Sequence, residues 1–257
     1  MASLAGRTVV VTRPAGGPDA LADRLRELGA LVRELPAIVL APPRDPAPLD
    51  AALRSLERFD WVVFASAAGV ERVLARLLTL GVPDALLAGR RLAAVGPATA
   101  ERLSSALRTP DLVPSWATGA ALAGSLAQHV RGRRVLLPRP AEGRPELVQG
   151  LSAAGAEVTA VEAYRTEPVP AADLAPLRAW LSAGEVDAVT FASPSAVHAV
   201  LEALGDGVPL LGRVLLAAIG PTTADALGGA GLTPAVVPDR HTGPDLADAV
   251  ARSLAAR

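Results

Sequence analysis

Ala218-Ile219-Gly220-Pro221-Thr222-Thr223-Ala224 lies between an apolar run, Val214-Leu215-Leu216-Ala217, and the helix-forming Asp225-Ala226-Leu227. The run reads as a buried strand, so the quoted stretch is a strand-to-helix turn. Gly220 permits a tight backbone. Pro221 suits the first helical position, where no N–H is needed. Thr222 and Thr223 set hydroxyls beside the free N–H groups of the first helical turn, and such a turn is a ready anion site. The phrase occurs earlier as Ala94-Val95-Gly96-Pro97-Ala98-Thr99-Ala100. The chain is built twice.

Working outward, other echoes keep the same order. Arg7-Thr8-Val9-Val10-Val11-Thr12-Arg13-Pro14 returns as Arg133-Arg134-Val135-Leu136-Leu137-Pro138-Arg139-Pro140. Val62-Val63-Phe64-Ala65-Ser66 returns as Val189-Thr190-Phe191-Ala192-Ser193, and Thr118-Gly119 as Thr242-Gly243. Each half reads as strand–helix five times over, the alternation of a doubly wound, flavodoxin-like parallel sheet. The first strand breaks at Arg13-Pro14-Ala15-Gly16-Gly17, and a helix follows from Pro18 to Gly29. Leu31 to Leu40 reads as a strand in which Pro36 argues for an edge or a connector, and Leu112-Val113 as a short strand. Ligands of such sheets sit beyond the carboxyl ends of the strands, where every echoed turn lies. Two such faces, if they meet, make an inter-domain cleft.

Composition removes whole classes of chemistry. The 257 residues are 51% apolar with a net charge of −1, which gives no argument for nucleic acid. There is no lysine, which excludes Schiff-base chemistry, and no cysteine, which excludes disulfides and thiol nucleophiles. A cofactor-independent racemase would need a cysteine pair. The opening Met1-Ala2-Ser3-Leu4-Ala5-Gly6 is too mild for a secretory signal, and no run approaches a membrane helix. A cytoplasmic protein, with nothing demanding more than a monomer, is expected. HExxH, GxxxxGK[ST], GxSxG and a GxGxxG after the first strand are all absent.

Ser66, Ser193 and Ser195 stand where helix N-caps belong, and capping accounts for them as well as ligand contact does. Gly96 and Gly220 are turn glycines first. Thr99, Thr222 and Thr223 are first-turn hydroxyls whose duplicated position favours ligand contact. Thr12, Arg13 and Arg139 sit at equivalent strand ends, where an arginine fork fits a carboxylate, although ancestry alone would also copy them. Tyr164, the only tyrosine, is either an amphipathic residue at a domain junction or a phenol that donates a proton. His129, His198 and His241 read as surface residues, with room for one near the cleft, and Trp61, Trp116 and Trp180 as core or interface residues.

Together these motifs resemble uroporphyrinogen-III synthase nearly end to end. The likeness rests on Ala218 to Leu227, Phe191-Ala192-Ser193-Pro194-Ser195-Ala196-Val197, Gly96-Pro97-Ala98-Thr99-Ala100, and Tyr164 before Arg165-Thr166. It implies two α/β domains with swapped halves joined by a two-stranded linker: residues 1–37 plus 168–257, residues 42–163, and linkers at 35–43 and 161–170. It implies a hydro-lyase that cyclises hydroxymethylbilane, a linear tetrapyrrole, to uroporphyrinogen III with inversion of ring D, using no cofactor or metal. Handover from hydroxymethylbilane synthase is a further implied partnership. Tyr164 would assist departure of the hydroxyl. Ser66, Thr99, Ser193, Ser195, Thr222 and Thr223 would contact substrate, together with backbone amides at Gly96 and Gly220. Ser66-Ala67-Ala68 departs from Ser193-Pro194-Ser195, so the halves offer different hydroxyl sets. A non-catalytic binding protein for an anionic small molecule would use the same duplicated fold.

Overall fold

A computed structural model of the chain describes residues 3–14 and 19–256. In chain order the elements are β1 (Thr8–Val11), α1 (Ala20–Glu27), β2 (Leu31–Glu34), β3 (Ile38–Ala41), α2 (Ala47–Arg54), β4 (Trp61–Phe64), α3 (Ala67–Leu80), α4 (Asp84–Ala88), β5 (Arg91–Ala94) and α5 (Pro97–Ala106). They continue with α6 (Gly119–Leu126), β6 (Arg134–Pro140), α7 (Glu146–Ala153), β7 (Glu157–Pro168), α8 (Ala171–Ser182), β8 (Ala188–Phe191), α9 (Pro194–Leu204), β9 (Leu215–Ala218), α10 (Pro221–Gly229) and α11 (Gly243–Ala255). Short 3-10 segments, Leu56–Arg58 and Gly205–Arg213, precede β4 and β9. Ala15, Gly16, Gly17 and Pro18, the turn and helix start expected after the first strand, lie outside the described residues.

The chain divides into two compact units: Met1–Leu40 with Glu167–Arg257, and Ala41–Thr166. The first holds a four-stranded parallel sheet in the order β2-β1-β8-β9. Strands β1, β8 and β9 are buried on both faces because helices cover both, whereas the edge strand β2 (Leu31-Val32-Arg33-Glu34) is partly exposed. Val10, Val189 and Leu216 pack on one side with Leu177, Val197 and Val200. Val9, Val11 and Leu215 pack on the other with Leu21, Leu25 and Val250. The alternation along β1 follows from the period of two in a strand.

The second unit carries a five-stranded sheet in the order β3-β7-β6-β4-β5, parallel from β7 to β5. Here Trp61, Val63, Val135 and Leu137 face α6 and α7 through Leu122, Leu126, Leu147 and Leu151. The segment β7-β6-β4-β5 matches β2-β1-β8-β9 position for position. The two units reach that order by opposite chain routes. In the first unit the β1-β2 pair precedes β8 and β9; in the second β4 and β5 precede the β6-β7 pair.

Two expectations are corrected. Leu31 to Leu40 is not one strand. It breaks at Leu35-Pro36-Ala37 into β2 and β3, which stand at the edges of different sheets. Proline cannot donate to a ladder, so it sits where pairing changes hands. Nor is Leu112-Val113 a strand. Leu112 makes a single isolated bridge to Ala93, matched in the first unit by Val236 on Ala217. The fifth strand of each half is therefore reduced to one bridge.

Candidate functional site

Each sheet reverses its order of winding once, between β1 and β8 in the first unit and between β6 and β4 in the second. The connections leave in opposite directions there, opening a crevice beyond the strand ends. Thr12, Arg13, Ser193 and Ser195 follow β1 and β8; Ser66 follows β4, and Arg139 lies near the end of β6. The neighbouring strands β9 and β5 run into Gly220 and Gly96.

In the second unit Tyr164 is the buried titratable group near these strand ends. It lies on β7 opposite Pro140, just beyond a register shift between Arg139 and Pro140. Irregularities of this kind re-aim a side chain. The phenol is 5% exposed. Its oxygen lies 2.9 Å from Ser66 Oγ, and either hydroxyl can be the donor. Ser66 Oγ also accepts the Gly69 N–H at 3.0 Å, capping α3. Ser66 thus ties the phenol to a helix end. Burial pushes the Tyr164 phenol above its ordinary range; the Ser66 hydrogen bond and the Arg72 charge pull it back, and the Glu142 charge adds to the rise. The group is a protonated donor at neutral pH.

Arg139 is half-buried and has no acidic partner among the described residues. Its guanidinium rests over Gly143, where a Cβ would stand 2.5 Å from Nε. Two strands along the same sheet, β5 runs into α5, which begins at Gly96 without a side-chain cap. Its first-turn amides therefore face no acceptor from their own N-cap, the condition for receiving a carboxylate. Thr99 is buried in that turn. Gly96 is required by contact: a Cβ there would stand 2.6 Å from Ala117 Cβ.

The first unit repeats the frame with different fittings. Gly220 starts α10 uncapped, with Thr222 half-buried and Thr223 buried. The His241 ring takes the place of Ala117, 3.3 Å from where a Gly220 Cβ would be. Ser193 Oγ accepts the Ala196 N–H at 3.2 Å and caps α9, while Ser195 is exposed one turn-position on. Arg13 pairs with Asp19 at 3.4 Å, and Asp19 also caps α1. Thr12 is fully buried and donates to the Thr190 carbonyl at 2.8 Å, so its hydroxyl joins β1 to β8 and is not presented outward.

Sequence reasoning did not single out Arg72 or Ala117, and it named His241 and Trp116 without placing them beside the two glycine turns. Of the tryptophans expected in the core or at an interface, Trp61 is 3% exposed and Trp180 packs on the core, whereas Trp116 is 77% exposed and so is not a core residue. The Thr-Gly echo marked both loops, yet Trp116-Ala117 and Arg240-His241 share no residue, so no repeat drew attention to them. Among the described residues no group of three His, Asp or Glu could hold a metal ion, and no helix is long and apolar enough to cross a membrane.

Comparisons with known proteins agree on one family. The family model described as uroporphyrinogen-III synthase HemD matches residues 19–248. A uroporphyrinogen-III synthase of Synechococcus elongatus is 32% identical over 235 residues, 86% of this chain and 85% of that protein. The chloroplastic uroporphyrinogen-III synthase of Oryza sativa subsp. japonica is 34% identical over 225 residues, 85% and 71%. Among solved structures, the Helicobacter pylori uroporphyrinogen-III synthetase aligns over 98% of this chain and 100% of that one, with a TM-score of 0.64 at 16% identity, a likeness of fold.

Proposed function

The chain belongs to the uroporphyrinogen-III synthase family, and from that premise we propose that it closes hydroxymethylbilane to uroporphyrinogen III with Tyr164 as the proton donor. The carrying observation is the buried phenol hydrogen-bonded to Ser66 at 2.9 Å. A protonated, oriented donor is what departure of a hydroxyl needs. The phenol gives its proton to the hydroxymethyl oxygen as the carbon–oxygen bond breaks, and water leaves. The azafulvenium left behind is attacked by the substituted carbon of ring D, the spiro intermediate opens and recloses with that ring inverted, and the proton lost from the newly bonded ring carbon returns to the phenolate. The bilane also closes unaided, to the uninverted isomer. The protein's larger task is therefore holding one conformation.

The substrate bears an acetate and a propionate on every ring. The uncapped starts of α5 and α10 offer backbone amides to such groups. Arg139 offers a planar fork. Thr99 adds a hydroxyl in the unit that carries α5, and Thr222, Thr223, Ser193 and Ser195 add theirs in the unit that carries α10. Arg13 contributes after exchanging Asp19 for a carboxylate. A soluble, cytoplasmic monomer that receives its substrate from hydroxymethylbilane synthase completes the reading.

The test is isomer analysis. Purified protein supplied with enzymatically generated hydroxymethylbilane yields the III isomer without added metal or nucleotide. Accumulation of the I isomer alone, at the uncatalysed rate, overturns the reading.

A further inference from the structure

Trp116 is 77% exposed, whereas a side chain of this size ordinarily buries most of its surface. Its backbone is fixed. The loop leaves the sheet after the Leu112 bridge to Ala93, so it departs from the ligand-facing end of β5. The next residue, Ala117, is pressed against Gly96. The Thr118 N–H donates to the Trp116 carbonyl at 2.9 Å, and the Thr118 hydroxyl caps α6 by accepting the Ala121 N–H. A held backbone carrying a free aromatic face is preorganised for stacking, because little freedom is lost on contact. The uncapped start of α5 lies one residue away through the Gly96–Ala117 contact.

We infer that Trp116 binds one pyrrole ring of the tetrapyrrole face to face, with a carboxylate of that ring directed to the first-turn amides of α5. The inference rests on the proposed synthase reaction and deepens it by naming a contact for the apolar part of the substrate. The matching loop of the first unit carries Arg240 and His241 at the equivalent places, beside Gly220. The duplicated frame thus offers an aromatic face in one unit and cationic or hydrogen-bonding groups in the other.

Trp116→Ala raises KM about 5- to 150-fold, the range expected for loss of one aromatic stacking partner, with a much smaller effect on kcat. Trp116→Phe keeps most of the affinity. Melting temperatures stay level, since the indole buries little. A second readout avoids turnover: uroporphyrinogen III shields the exposed tryptophan from acrylamide quenching, with Trp116→Phe giving the background of Trp61 and Trp180. A KM within twofold of wild type in Trp116→Ala, a Trp116→Phe as weak as Trp116→Ala, or quenching untouched by product each overturns the inference. Failure of the wild type to form the III isomer overturns the synthase reading instead.

Discussion

The Tyr164 phenol is an acid that burial holds in its protonated form, and its one hydrogen-bonding neighbour is a hydroxyl already engaged in capping a helix. Tyr164→Phe removes the proton and little volume. Turnover falls about 10²–10⁴-fold, while circular dichroism and product binding persist; unchanged turnover removes the phenol from the mechanism. The sign of the pH effect follows from a folded-state value raised above the unfolded one. The contribution to stability is complete below the ordinary phenol value, about 10, and is lost as pH rises through the folded value. An alkaline fall in rate above that value is present in the wild type and absent from Tyr164→Phe. Ser66→Ala costs about 1 kcal/mol through the lost cap and also frees the phenol, so kcat drops beyond what stability explains. Ser66→Thr restores both, measured by chemical denaturation beside steady-state kinetics. At this scale the sequence was legible in residue type more than in role. Thr12 and Arg13 are adjacent at one strand end, yet one hydroxyl is spent on the Thr190 carbonyl and the other side chain on Asp19. Such partners come from long-range packing, which local spacing does not encode.

The strand–glycine–proline–helix element was the most legible part of the molecule, because each of its residues answers a local demand. Gly96 and Gly220 stand at the same place in the two copies and both have extended backbone, so neither is needed for a left-handed turn. What separates them is the neighbour. Alanine at 96 meets Ala117, a Cβ attached directly to the backbone, and the loop has to move. Alanine at 220 meets an exposed histidine ring that can swing away. Gly96→Ala therefore destabilises by about 1–3 kcal/mol as an overpacked contact, and Gly220→Ala by clearly less, read from paired thermal melts. Equal losses would show that backbone conformation and not contact selects the glycines. Elements without a local mark were harder to read. The break at Pro36 splits one apolar run between two sheets, and only the sheets say where each piece pairs. The fifth strand of each half shrank to one bridge because Leu112 and Val236 are followed by loops that must reach Gly96 and Gly220.

At the scale of the whole chain, duplication could be read from the ordered echoes, but the chain routes could not, since identical sheets arise from either order of pairs. The routes have a consequence for stability. The unit from Ala41 to Thr166 is one continuous segment that holds β4, β5, β6 and all of β7 but its last two residues. The other unit is closed by β1, which lies between β2 and β8 and supplies Val9, Val10 and Val11 to both of its cores. Removing residues 1–40 thus deletes β1, β2, α1 and all of β3 but Ala41, strips the cover that α1 gives α11, and leaves β8 as a bare apolar edge. Edges of that kind aggregate. A chain beginning at Ala41 should show one cooperative melt from the continuous unit, while residues 167–257 are cut rapidly by protease. Supplying residues 1–40 as a separate peptide should restore protection to 167–257 in proportion to peptide concentration, because binding only the folded form draws the equilibrium toward it. Protection of 167–257 without the peptide would mean that β8 and β9 with their helices form a stable core alone, and the dependence of the discontinuous unit on its first segment would be refuted.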